Sequence, residues 1–453
     1  MRRRGGISSC LPLVTEAATA KLTHKRVLNI AVPVVLSNAT VPILGAVDTG
    51  VVGQIGLAAP IGAVGIGAVV LSAFYWVFGF LRMGTVGLTA QAEGQGDTDE
   101  VAALLTRALM IGIGAGIAII ALQGALFWAA FQVSPASAEV EGLARQYMAL
   151  RVWSAPAAIG LYGITGWLIA QERTRSVLVL QVWMNGLNIA LDLWFVIGLG
   201  WGVQGVALAT AIAEWSGLAL GLWFCRAAFA GVAWRAWDRV FDAVRWRRMM
   251  GVNTDILIRS LLLEAIFVSF MFMGAGQGDV TLAANQVLLQ FMMIVSYALD
   301  GFAFSAEALV GKAFGRGDRT NLRRAALLAS GWGMAAAACM GVGFALFGPG
   351  IVDIMTTAPE VREQARIYLP YLVLMPVIGC AAFMLDGIFV GATRSRDMRN
   401  MMALSFGVYA ACVLLLVPTF GNHGLWLAML ISFVARGLTL GARYPSLERA
   451  AGA

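Results

Sequence analysis

The stretch PVVLSNATVPILGAVDTGVVGQIG, residues 33–56, contains one acid, Asp48, and no basic residue. A carboxylate in so apolar a setting is expensive to place in hydrocarbon, and such groups mark proton or ion paths. Pro33 and Pro42 precede it on the same segment. Each proline removes a helix hydrogen bond and bends the chain, so a kinked helix beside a carboxylate is a candidate switch. A second constellation is MNGLNIALDLW, where Asn185, Asn188 and Asp192 recur at i, i+3 and i+7 and so share one helix face. Asn188 and Asp192, one turn apart, offer oxygen ligands to Na⁺ or a hydrogen-bonded home for a proton. Asn185 alone reads as a contact between helices. ALATAIAEW places Thr210 and Glu214 one turn apart as well. The second half of the chain carries Asp255, Arg259, Glu264, Asp300, Glu307 and Asp386. The i, i+4 spacing predicts an ion pair between Asp255 and Arg259, which leaves Glu264, Glu307 and Asp386 as a candidate second polar site.

Enzymatic chemistry has little to work with. The two histidines, His24 and His423, lie outside the long apolar runs, and neither HExxH, GxSxG nor a P-loop occurs. The GxGxxG at 200–205 joins two apolar segments with no strand before it, so the dinucleotide fold that gives this motif meaning is missing. Five scattered cysteines form no CxxC pair, which argues against a zinc site or a disulfide framework. The chain is therefore read as no enzyme and as needing no cofactor. Its energy source, without a nucleotide site, is an ion gradient.

These polar residues must be positioned by membrane helices. Of 453 residues, 59% are hydrophobic and 13% charged, and the mean hydropathy is +0.79. A soluble protein carries about a quarter charged residues. The net charge of +7 then reflects basic loops on one membrane face rather than a nucleic-acid partner; the partner is the lipid bilayer. Spans are expected near 27–55, 61–90, 101–130, 143–170, 177–199, 202–225, 247–274, 281–311, 323–348, 364–392, 399–418 and 423–442. Lys and Arg concentrate in 1–26, 226–248, 312–324 and 394–399, and are missing around 56–60, 199–202, 275–280 and 419–423. Both termini are therefore expected in the cytoplasm. The acidic 91–100 loop, with Glu93, Asp97, Asp99 and Glu100, fits this pattern least.

The chain repeats itself. SAEVEGLARQY at 137–147 matches APEVREQARIY at 358–368, and the same offset of 221 aligns GQGD with GRGD and Gly166 with Gly387. The expected fold is an all-α integral membrane protein whose twelve transmembrane helices form two six-helix lobes related by a pseudo-two-fold axis along the membrane normal. The expected divisions are a cytoplasmic tail (1–24), an N-terminal lobe (25–225), a basic cytoplasmic linker (226–248), a C-terminal lobe (249–443) and a second tail (444–453).

SNATVPILGAVDTGVVGQIG, FLRMGTVGLTAQA, RSLLLE, YALDGFAFSAEA, LDGIFVGATRSRDMRN and GNHGLWLA together resemble multidrug and toxic compound extrusion (MATE) transporters of the DinF-like branch, nearly throughout the chain. The resemblance implies a coupling site in the N-terminal lobe, formed by a carboxylate on helix 1, an Asn-x3-Asp pair on helix 5, a Thr on helix 6 and a Tyr on helix 4. Here these are Asp48, Asn188, Asp192, Thr210 and Tyr147. Na⁺, if used, would sit at Asp48, Asn188, Asp192 and Thr210. The implied function is export of amphipathic, often cationic compounds in exchange for H⁺ or Na⁺, by a monomer in the bacterial inner membrane. A lipid or lipid-linked precursor flippase of related fold is the alternative. Glu264 and Asp386 are the nearest counterparts of the acids used by the NorM-like branch, but their surroundings do not match that pattern.

Overall fold

The computed structural model describes residues 22–54, 58–133 and 137–452. The expected N-terminal tail lies outside them except for its last three residues. Long helices follow one another: α1 (His24–Gly53), α2 (Ala58–Trp76, a 3-10 turn at Val77–Gly79, then Phe80–Gln95), α3 (Thr98–Val133) and α4 (Ala138–Arg151, a 3-10 turn at Val152–Ser154, then Ala155–Ala170). Next come α5 (Thr174–Asp192, extended by a π turn at Leu193–Gly198), α6 (Gly202–Phe224), α7 (Ala243–Ala275) and α8 (Asp279–Gly315). The last four are α9 (Arg319–Met355), α10 (Pro359–Gly391), α11 (Ser395–Phe420) and α12 (Asn422–Ala450). Eleven are long and apolar enough to cross a membrane. The 30 residues of α1 make the twelfth span.

Two boundaries differ from expectation. The Asp242 carboxylate accepts the Arg245 N–H at 2.8 Å and starts α7 at Ala243, so the basic residues 243–248 are helix rather than linker. Residues 444–450, expected as a tail, continue α12. Arginine is a good helix former, so a basic segment need not be a loop.

The repeat reaches every helix end. Shifted by 221, α4 falls on α10 residue for residue, and the other pairs agree within a few residues. The matched GQGD and GRGD are helix punctuation. Gly96 (φ +78°) and Gly317 (φ +69°) turn the chain left-handed after α2 and α8, which glycine does without strain. Asp97 and Asp318 then cap α3 and α9 by accepting N–H groups of Glu100 and Asn321 at 3.0 and 2.9 Å.

Two separate apolar cores define the lobes, one built mainly on α2–α6 and the other on α7–α12. They meet along α2 and α8. A Cβ on Gly94 would stand 2.2 Å from the Lys312 carbonyl oxygen, and one on Gly315 would stand 2.2 Å from that of Gln91. Gln91 and Lys312 are equivalent in the repeat, so contact i–j recurs as j–i, the signature of a two-fold axis between the two helices.

The basic connections gather at one end of the bundle, where two equivalent bolts join the lobes. In one, Lys312 Nζ reaches Glu172 Oε1 at 2.8 Å, and Arg26 donates to both Glu172 oxygens. In the other, Gln91 Nε2 donates to Thr393 Oγ1 at 3.0 Å and to the Gly391 carbonyl at 3.1 Å. The acidic 91–100 segment is explained here. Glu93 pairs with Lys312, Asp97 with Arg239, and Glu100 with Arg107 and Arg245. Its charges hold the interlobe connection in place.

Glu172 lies in the α4–α5 turn. Burial alone would raise its carboxyl, but the Arg26 guanidinium that bonds it and the Lys312 charge more than reverse this and hold it at about 2. A carboxyl depressed in the folded state contributes stability above its unfolded value near 4.3, and that contribution fades as pH falls toward 2. The melting-temperature difference between the wild type and Glu172→Gln should therefore be constant from pH 8 to 5.5 and shrink below about pH 4. A difference that collapses between pH 7 and 6 would refute this.

Candidate functional site

In the N-terminal lobe, α1, α4, α5 and α6 bring the predicted residues into one buried cluster. Asp192 is fully buried, at the point where α5 passes from α-helix into its π turn. Such turns free backbone groups and recur at functional sites. Asn188 Nδ2 donates to Asp192 Oδ2 at 3.0 Å and to Thr210 Oγ1 at 3.4 Å, while Thr210 itself donates to the Val206 carbonyl. The Asp48 carboxyl lies close to that of Asp192. Asp48 Oδ1, Asn188 Oδ1 and Asp192 Oδ1 are buried without a hydrogen-bond partner among the described residues. Buried oxygens without a donor suit a proton or a hard cation.

One cluster member, Arg151, was not singled out from the sequence. Arg151 Nη1 donates to Tyr147 Oη at 3.2 Å, and its Nη2 pairs with Glu214 at 2.8 Å. Glu214 thus serves Arg151 rather than Thr210, and Tyr147 joins the site through Arg151. The available signal was an arginine inside an apolar run, which is itself rare and functional in membranes. Arg151→Ala strands a buried carboxylate and should lower stability by about 3–5 kcal/mol, with much of the loss recovered in Arg151→Ala/Glu214→Ala. Thermal unfolding of the purified variants measures both, and equal loss in single and double variants would show that the pair does not act as a unit.

Both prolines lie inside a continuous α1. Pro33 cannot bond the Asn29 carbonyl, and Thr174 Oγ1 donates to it instead at 3.2 Å. That makes Pro33 part of an α1–α5 contact. Asn185 Nδ2 donates to Thr40 Oγ1 at 2.8 Å, two residues before Pro42, and so acts as the interhelix contact expected of it.

The C-terminal lobe builds a different site. A cavity of about 700 Å³ lies between the lobes and extends from a polar floor toward the end opposite the basic connections. Glu307 pairs with Arg82 across the lobes at 3.3 Å, and Asp386 pairs with Arg259 and, at 3.7 Å, with Arg436. The predicted Asp255–Arg259 pair does not form. Asp255 instead bonds Arg399 at 2.6 Å and Ser395 at 2.8 Å. Glu264 stands on the cavity wall with no partner among the described residues. Phe80, Phe267, Phe304 and Phe433 supply aromatic surface. The Asp48 cluster does not line this cavity, so the candidate ion site and the candidate ligand site are separate.

At the positions equivalent to Asp48 and Asn188 the second half has Ser269 and Tyr409. Those two touch, with Ser269 Oγ donating to Tyr409 Oη at 3.2 Å. The equivalent place in the second half holds a neutral hydrogen bond in place of carboxylates.

The MatE family profile matches residues 33–194 and 256–415, most of both halves. The chain belongs to the MatE family. It is 38% identical to DNA damage-inducible protein F of Escherichia coli over 96% of its own length and 93% of that protein. It is 24% identical to a probable multidrug resistance protein NorM of Synechococcus, over 93% and 94% of the two chains. Its fold resembles the Vibrio cholerae MATE transporter VcmN in the bent form, with a TM-score of 0.84, 18% identity, and coverage of 97% and 99%. MatE proteins are transporters and not enzymes, and they handle small molecules within the membrane.

Proposed function

We propose that this chain is a secondary antiporter that exports amphipathic, often cationic compounds in exchange for H⁺ or Na⁺. It acts as a monomer in the bacterial inner membrane with both termini in the cytoplasm. The approach of Asp48 and Asp192 carries this reading. A bound proton or Na⁺ holds the two carboxyl groups together, and its departure leaves two like charges in a low-dielectric site that drive α1 and α5 apart. Helix α1 can pass such a shift to the other lobe. Its first turns, with Val27 and Ile30, pack in the C-terminal core, while Val51 and Val52 pack in the N-terminal one. Asn38 Nδ2 also donates to the Tyr297 carbonyl on α8 at 3.2 Å.

The cavity fits an amphipathic cation. Its volume is in the usual range for small-molecule pockets. Four acids (Glu264, Asp300, Glu307 and Asp386) face three arginines (Arg82, Arg259 and Arg436), which leaves one negative charge over. Aromatic faces attract cations, and methionines adapt to varied shapes. The test is purified protein in proteoliposomes loaded with a fluorescent lipophilic cation, under pH and Na⁺ gradients imposed separately. Efflux driven by one of them supports the antiporter. Efflux indifferent to both overturns it, and ion-independent lipid scrambling would favour the flippase.

A further inference from the structure

A second cavity, of about 530 Å³, lies at the basic end within the C-terminal lobe, where the start of α7 faces the α10–α11 turn. Four arginines line it: Arg247 and Arg248 from α7, Arg394 from the α10–α11 turn and Arg396 from the start of α11. Arg248 donates to Gln91 Oε1 at 2.7 Å. The side chains of the other three make no hydrogen bond or ion pair with any described residue. Two acids also line the cavity, but Asp255 is neutralised by Arg399. Asp397 alone remains to offset four guanidinium groups. The cavity holds an excess of positive charge that the described protein does not satisfy, beside the first N–H groups of the 26-residue α11.

We propose that this cavity binds the phosphate of an anionic phospholipid headgroup. Guanidinium groups match phosphate oxygens in paired, planar hydrogen bonds, and a helix N-terminus adds further donors. The setting selects a lipid over soluble phosphate. Val244 lines the cavity yet is 75% exposed, and Phe241 and Met250 beside it are exposed too. This apolar rim is where acyl chains would lie while the headgroup turns inward. Basic pockets between membrane helices on the anionic leaflet recognise lipids in this way.

Native mass spectrometry and thermal unfolding of the full-length protein in detergent test the proposal, with dioleoylphosphatidylglycerol, dioleoylphosphatidylcholine and inorganic phosphate as probes. The expected result is at least tenfold tighter binding of phosphatidylglycerol than of phosphatidylcholine. Each of Arg247→Gln, Arg394→Gln and Arg396→Gln should weaken it roughly fivefold. Asp397→Asn should tighten it, a gain that misfolding cannot mimic. Equal binding of the two lipids, or variants that bind phosphatidylglycerol unchanged, would overturn the proposal. Stabilisation by inorganic phosphate equal to that by the lipid would assign the cavity to a soluble anion and overturn the lipid reading.

Discussion

Asp48→Asn should reduce ion-driven efflux to the background of protein-free vesicles while leaving expression and helical content intact. The amide keeps the shape of the carboxyl and removes both its charge and its proton, and inserting it into a membrane is easier. Loss of transport would therefore trace to coupling rather than assembly. Asp192→Asn should match it, because the proposed site holds one ion between Asp48 and Asp192. The double variant should be no worse than either, as for groups that act as a unit. The lost input is substantial: about 2.3 kcal/mol per charge for each 100 mV of potential, before the chemical gradient is counted. Asp386→Asn supplies the contrast. It leaves Arg259 and Arg436 without their carboxylate, so substrate range and stability should change while ion dependence remains. Near-normal efflux by Asp48→Asn, or uncoupling by Asp386→Asn but not Asp192→Asn, would move the site out of the N-terminal lobe.

The second large effect should come from Gly94→Val or Gly315→Val. Any Cβ at either position would meet a backbone carbonyl at 2.2 Å, and backbone cannot swing aside as a side chain can. Overpacking of this kind costs about 1–3 kcal/mol or more, enough to shift a two-state equilibrium by roughly fivefold to more than a hundredfold. Both variants should disfavour closure of the basic end and cut transport at least tenfold. A cysteine placed at Gln91, which is 3% exposed, reports on this in a background lacking the native cysteines. Its reaction with a water-soluble maleimide should accelerate in both glycine variants. Unchanged labelling with unchanged transport would show that α2 and α8 need not meet so closely.

What could be read in the sequence was what helical spacing and repetition determine. Asn188, Asp192 and Thr210 lie where helical periodicity puts them, and the 221-residue offset anticipated helix ends throughout the chain. The i, i+4 rule failed for Asp255 and Arg259. Both sit on α7, but each takes its partner from another helix, Arg399 on α11 and Asp386 on α10. Adjacency along a helix fixes which residues are neighbours on its surface. It does not fix which faces that surface meets, and inside a membrane the facing helix supplies the stronger partner. Arg82, Arg151 and Arg436 were visible in their apolar segments, yet their roles depend on packing across the bundle. The 3-10 turns in α2 and α4 and the π turn of α5 carry no comparable sequence signal beyond nearby Gly79 and Pro156.

The interlobe connection acts like the spine of a book. Arg107, fully buried on α3, donates to the Arg239 and Val240 carbonyls at 2.7 and 2.8 Å, and Arg245 at the start of α7 pairs with Glu100. Only the three steps from Val240 to Ala243 are then free to stretch, a reach of about 10 Å. Along that edge the covers stay bound together, however far the lobes turn. Any opening of the basic end must fan out from it and gape widest on the opposite margin, where α1 begins and α12 ends. A substrate entering there would meet a wedge rather than a slot, and its bulk would be limited by the width of the far margin, not by the mean separation of the lobes.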